Sequence, residues 1–264
     1  VMLEFAAYGQ PISIGPMAMA SGTGPATLAG NLAQENAEIL AGVVIIQTIA
    51  PRSPIMYGGI PHIMDPRTGI CSFGSPEQVL MAMAMTEIGK HYGFPVYINV
   101  NLTDSKVLDA QTGMEKIGGL LPGLLTGADL FGHAGIVGTD HGGCLAWLAA
   151  DDEAMGFAKR IQRGLGVNEE SLAASVIAET GPTGNYLGHP HTGRHFRKEL
   201  WIPGAAWTRD TYNGWLDAGG LTMGERLQQR VEHLLETHQP DPVDPDLARE
   251  IDQIVEAARR ELVG

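Results

Sequence analysis

The 264 residues carry a formal net charge of −13 and 44% apolar side chains. That is material for one large α/β domain or two small ones, and the wrong sign for a phosphate backbone, so nucleic acid is excluded as a partner. Cys71 and Cys144 lie far apart with no secretory leader ahead of them, and the longest apolar run, ILAGVVIIQTIA, contains Gln47 and is short for a bilayer, so the expectation is a reducing cytoplasm, no disulfide framework and no membrane span.

In chain order, PISIGPMAM reads as a buried strand near 12–18, broken by SGTGP and followed by a long Gly-spaced helix from Ala26 to about Ala50. That helix is apolar on more than one side, which predicts that it is well covered. SPIMYGG predicts a second strand at 54–58. Ser75 as N-cap with Pro76 at the first helical position opens a helix that Gly93 ends. FPVYINVNLT predicts a third strand at 96–101, with Asn99 and Asn101 on one face. Asp109–Gly127 predicts a helix that Pro122 should kink. ADLFGHAGIVG predicts a fourth strand at 129–134, and Gly143–Gly164 a helix with KRIQRG at its negative end.

Strand, loop and helix thus repeat four times at about 40-residue spacing, which means parallel strands with crossover helices. The polar residues gather in strand-end loops, as in a TIM (β/α) barrel. Four units do not close an eight-stranded barrel, so the reading is α/β: a barrel portion over 1–166 and a helical segment over 167–264. The second segment begins with one capped helix, NEESLAASVIAETG, and ends in two charged amphipathic helices. Two open sheet edges and an uncovered inner face predict a homo-oligomer.

Four stretches carry candidate chemistry. GHPHTGRHF packs His189, His191 and His195 into seven residues. If a helix starts near Pro190, the three can hold zinc with Asp104 or Asp140 as a fourth ligand, the basis of a zinc-dependent hydrolase reading. Arg194, Arg197 and Lys198 beside them weaken cation binding. The other readings are a polar helix start, or a contact to an organic ligand or a partner. SGTGPATLAG places Gly22 and Gly24 before a helix N-terminus, either cradling a phosphate or turning the chain. NVNLTDSK ends a strand with Asn99, Asn101 and Asp104, which either line a catalytic face or, for Asp104, cap the next helix with Lys106 as its pair. His133, in FGHAG, is either a core histidine or the partner of a ligand carboxylate.

Taken together, GPMAMASGTGPATLAGNLAQENAEILAGVVIIQ, YGGIPHIMDPRTG, TDSKVLDAQTGMEK, LGHPHTGRHFRKELW and WLDAGG resemble the trimethylamine methyltransferase family, whose members include corrinoid-dependent enzymes of glycine betaine and related quaternary amines. The resemblance covers the whole chain and the C-terminal half of a full-length member, and it implies a TIM barrel. It also implies transfer of an N-methyl group to the Co(I) of a cobalamin carried by a separate corrinoid protein, with no metal held by the methyltransferase itself. No pyrrolysine is present, which the resemblance ties to the quaternary-amine branch. On this reading a betaine carboxylate takes His133, Arg67 or Arg194, and the ammonium takes Tyr57, Tyr97 or Asp104, with Asn99 and Asn101 lining the site. His189, His191 and His195 become rim or corrinoid-protein contacts, with Gly22 and Gly24 as further cofactor candidates. A truncated, non-catalytic fragment of the family is the alternative.

Overall fold

Residues Ile12, Ile14, Ile55, Tyr57, Val96 and Ile98 share one parity along their strands, and all are buried. That parity decides which way the sheet faces. The computed structural model describes residues 1–262. Helix α1 (Met2–Ala7) leads into β1 (Ile12–Ile14), β2 (Met19–Ala20) and helix α2 (Leu28–Ile49). Strands β3 (Ile55–Tyr57), β4 (His62–Met64) and β5 (Cys71–Ser72) precede α3 (Pro76–His91). Strand β6 (Tyr97–Ile98) precedes α4 (Ala110–Leu125), and β7 (Leu130–Phe131), β8 (Ile136–Val137) and β9 (Gly142–Gly143) precede α5 (Leu145–Gln162). The rest is helical: α6 (Glu169–Leu172), α7 (Ala174–Thr180), α8 (Pro190–Glu199), α9 (Tyr212–Asp217), α10 (Met223–Thr237) and α11 (Pro245–Leu262).

The four expected strands are present and parallel. β1 pairs with β3 and β6 with β7, and a parallel bridge from Tyr57 to Val96 joins the two pairs in the order β1-β3-β6-β7. They are shorter than expected. Pro16 has no N–H to donate, so β1 stops at Ile14 rather than 18. His133 adopts φ 67°, so β7 stops at Phe131. Two small additions stand between strands and helices: β4 pairs with β2 and β5, and β8 with β9. Among the described residues the strands do not close into a barrel.

Helices α2, α3 and α4 cover one face of this sheet. The core there joins the six residues named above to Ile39, Ile46, Ala82, Met85 and Val100. Close approach is made possible by glycines that face the strands. A Cβ on Gly42 would lie 2.8 Å from Ile14, one on Gly89 2.6 Å from Val96, and one on Gly123 2.7 Å from Ile98. Adding a methyl group at any of them would push a helix off the sheet.

Ser75 accepts the Gln78 N–H at 3.3 Å, with Pro76 in the first turn, as expected. Helix α4 runs on past Pro122 to Leu125, capped by Asp109. Two expectations need correction. Helix α2 is not covered all round: its buried stripe is Asn31, Glu35, Ile39, Gly42 and Ile46, while Val44, Ile45 and Ile49 are exposed, because only one face meets the sheet. NEESLAASVIAETG is two helices, split at Ala173 in the left-handed region at φ 50°. The chain divides into two compact units, Val1–Gln228 and Gln229–Gly264, so the first runs on past residue 166. No helix among the described residues is long and apolar enough to cross a membrane.

Candidate functional site

The sheet's other face carries the opposite parity. Ser13 pairs with Met56 and Tyr97 with Leu130, and Gly58, Asn99 and Gly132 follow at the C-terminal strand ends. Among the described residues this face is covered unevenly: Leu130 is 46% exposed, while Asn99 is 2% exposed. The side chains converge. A Cβ on Gly132 would fall 2.0 Å from the Tyr97 hydroxyl and 2.4 Å from Asn99 Oδ1, and one on Gly58 would fall 2.3 Å from Ser13 Oγ. These glycines therefore keep open the space in which Ser13, Tyr97 and Asn99 meet.

Several polar atoms here are buried and make no hydrogen bond: Ser13 Oγ, Asn99 Oδ1, Asn101 Oδ1 and His133 Nδ1. An unmet buried acceptor or donor typically costs about 1–3 kcal/mol, so four at one end of a sheet form a site that a polar ligand can satisfy. Their partners are otherwise fixed. Asn99 Nδ2 donates to the Gly59 carbonyl at 3.0 Å, which orients Oδ1 away from it, and Gln78 holds the Asn99 carbonyl at 2.9 Å. Burial pushes the Tyr97 phenol up, keeping it a neutral O–H donor.

Three buried titratable side chains hold the strand ends in place. Glu35, fully buried on α2, accepts the Ala18 N–H at 2.8 Å and the Ile60 N–H at 3.0 Å, tying together the loops after β1 and β3. Burial pushes its carboxyl up to about 7, against the lowering effect of those two N–H bonds. Lys116 on α4 pairs with Asp151 on α5 at 2.7 Å, with side chains 4% and 1% exposed. Lys116 also donates to the Asn101 carbonyl at 3.0 Å, and Asp151 accepts the Gly135 N–H at 2.6 Å. Burial disfavours both charges, pushing Asp151 up and Lys116 down, and their mutual attraction opposes it in each case. None of these three residues stood out in the sequence.

Other candidates lie elsewhere. Tyr57 has the helix-facing parity, is 1% exposed, and donates its hydroxyl to Asn36 at 2.9 Å, so it does not face the site. Asp104 is engaged in its own loop. It accepts Ser72 Oγ at 2.5 Å, the Phe73 N–H at 2.9 Å and Thr139 Oγ1 at 3.2 Å, while Lys106 donates to its carbonyl and Asp109, not Asp104, caps α4. Arg67, in the β4–β5 turn, is 85% exposed and paired with Asp65, whose carboxyl it pulls down to about 2. The Gly22 and Gly24 amides both donate to the Met19 carbonyl at 2.9 Å, so SGTG closes on itself as a turn and those two N–H groups are not free to cradle a phosphate.

The histidines start α8, with His189 as N-cap accepting the His191 N–H at 3.1 Å. His189 and His195 lie 3.7 and 3.5 Å from Glu179 and Glu170. His191 and His195 border a cavity of about 310 Å³ with Leu165, Val167 and Leu172. That cavity follows the C-terminal end of α5, roughly 16 Å along the helix from Asp151, where α5 meets the strand ends. The histidines are therefore not brought to the strand-end site. Among the described residues no group of three His, Cys, Asp or Glu is arranged to hold a metal, so the set needed for the zinc reading is not assembled with Asp104 or Asp140.

The Gly132 position gives a direct test of the site's shape. Gly132→Ala should cost about 1–3 kcal/mol in thermal unfolding, because its methyl group displaces Tyr97 and Asn99. An unchanged melting temperature would show that the two side chains are not held together as described.

The chain matches the family described as trimethylamine methyltransferase (MTTB) over residues 1–263. It is 33% identical over 264 residues to a glycine betaine methyltransferase of Desulfitobacterium hafniense (strain Y51), covering 100% of this chain and 54% of that protein. It is 31% identical over 266 residues to the trimethylamine methyltransferase MttB of Methanosarcina barkeri (strain Fusaro / DSM 804), covering 100% of this chain and 53% of that protein. The chain thus spans about half the length of the curated relatives it matches. With a match along nearly every residue, the chain belongs to the trimethylamine methyltransferase family.

Proposed function

We propose that this chain is part of a methyltransferase that takes an N-methyl group from a glycine betaine-like quaternary amine and passes it to a separate corrinoid protein. The observation that carries this reading is the cluster of unpaired polar atoms at the C-terminal strand ends, on the face opposite α2, α3 and α4. In a TIM barrel that face is the lumen and those ends are the catalytic end. We read β1, β3, β6 and β7 as one part of such a barrel, with that face completed by further chain or by a second copy in a homo-oligomer.

The corrinoid, bound on its own protein, supplies the Co(I) nucleophile. This chain's residues have the complementary task of holding the amine. A quaternary ammonium leaves as a neutral amine, so no general acid is required. Having no N–H, it needs polarizable and aromatic walls, which Met56 and the Tyr97 ring offer. The carboxylate of a betaine needs donors, which Ser13 Oγ, the Tyr97 hydroxyl and His133 supply at the same strand ends.

Calorimetric titration of glycine betaine tests this. His133 sits at φ 67°, so Asn, which tolerates the left-handed region, is a better probe than Ala. Loss of a charge-assisted hydrogen bond in His133→Asn should weaken binding by about tenfold to a hundredfold. Equal affinity would remove His133 from the site, and no binding by either protein would overturn the betaine reading.

A further inference from the structure

A second concave site lies at the far end of α5. Lys159, Arg160 and Arg163 from its last turn face Arg197 from the last turn of α8 across a cavity of about 380 Å³, walled by Trp201 and Ile202. In a chain of net charge −13 this concentration of cations needs a reason.

Helix ends supply part of it. Arg160 donates to the Glu199 carbonyl at 2.9 Å and the Gly164 carbonyl at 3.1 Å, and Arg163 donates to the Lys198 carbonyl at 2.5 Å. Each helix C-terminus contributes roughly half a negative charge. Glu199 adds one more, its carboxylate 3.9 Å from Arg160. Four cations against about two negative charges leave the cavity with a net charge of about +2. Among the described residues Lys159 and Arg197 have no carboxylate at ion-pair distance. Both are exposed, and Arg197 lies 5.6 Å from the Phe196 ring centroid.

The wall is equally specific. Trp201 is held edge-on between Phe157 and Trp207, with ring centroids 5.7 and 5.5 Å away, and Arg209 sits 5.7 Å from its ring centroid. Gly156 lets the indole lie against α5: a Cβ there would be 3.3 Å from Trp201 Nε1. The cavity therefore combines a fixed indole wall, with Arg209 over one ring face, and a positive floor.

We infer that this cavity binds a small organic phosphate, its phosphate group between Lys159 and Arg197 and its flat portion against Trp201. A phosphate carries close to two negative charges at neutral pH, which matches the surplus, and guanidinium forks suit its oxygens. The strand-end site meets α5 at Asp151, roughly 12 Å along the helix from Lys159, and shares no lining residue with this cavity, so this ligand does not compete with the amine.

The test is calorimetric titration with inorganic pyrophosphate and, separately, with adenosine diphosphate. Both should bind, with affinity falling as salt screens the charges. Adenosine diphosphate should bind at least about tenfold more tightly, from contact with Trp201. The double variant Lys159→Ala/Arg197→Ala should weaken both by at least about tenfold. Trp201→Phe should weaken the nucleotide selectively. Failure of pyrophosphate to bind at about 1 mM, or equal binding to the double variant, would overturn the site. Nucleotide binding no tighter than pyrophosphate would overturn the role of Trp201. Arg160 and Arg163 are left intact because they hold the end of α8, and a native far-ultraviolet spectrum of the double variant confirms that lost binding is not lost fold.

Discussion

Asp151→Ala will lower the free energy of unfolding by roughly 3–5 kcal/mol, a fall in Tm on the order of 10 °C. The carboxylate is 1% exposed and accepts from Lys116 and from the Gly135 N–H. Removing it leaves the Gly135 N–H without a partner and a buried ammonium with only the Asn101 carbonyl to accept from it, and an uncompensated charge in the interior is among the most damaging single changes. The pair itself is not a large net source of stability, since desolvating both ions offsets most of their attraction. The double variant Lys116→Met/Asp151→Leu should therefore recover part of the loss. Guanidinium unfolding of wild type, single and double variants checks this. A single variant within about 1 kcal/mol of wild type would mean that the pair is hydrated. The same change should disturb the strand-end site, because Lys116 holds the Asn101 carbonyl and Gly135 lies two residues beyond His133.

How far the sequence could be read depends on whether a feature is local. Ser75-Pro76 announces a helix start within four residues and its cap forms, whereas α4 is capped by Asp109 and not by Asp104. Asn99 and Asn101 share a strand parity, so their common face was legible, as was the parallel order of four strands separated by helices. Tyr57 was not. In SPIMYGG every position is apolar or small, so nothing in the run says whether Ile55 and Tyr57 or Met56 faces the helices, and the parity settled the other way from the expected role. Lys116 and Asp151 are 35 positions apart, and TGMEKIGG reads as a solvated helix surface until α5 packs across it. The histidines are conspicuous in sequence but lie beyond α5, and only the fold reveals that distance.

Glu35 was equally illegible, an acid inside AQENAEIL, and it makes the sharpest pH prediction. Its carboxyl titrates at about 7 in the folded protein against a usual 4.5, because burial disfavours the charged form more than the Ala18 and Ile60 N–H groups favour it. Glu38 raises it a little further, and Tyr57, packed nearby, is itself pushed up by burial first, then by Tyr92 and Glu35. A raised carboxyl means that the folded state binds the proton more tightly than the unfolded chain. The folded state is therefore favoured most below pH 4.5, loses that advantage as pH climbs to about 7, and changes no further above it. The 2.5-unit difference between those values amounts to about 3 kcal/mol. Glu35→Gln removes the titration. It also sets an amide N–H₂ against one of the two backbone donors, so the variant should be less stable than wild type at low pH. The gap between the two proteins should narrow by about 3 kcal/mol between pH 4.5 and pH 7.5 in denaturant unfolding. A constant gap across that range would show that Glu35 ionises at its ordinary value. Because Ile60 follows Gly59, whose carbonyl orients Asn99, betaine affinity in wild type should change as pH passes about 7, and Glu35→Gln should flatten that change.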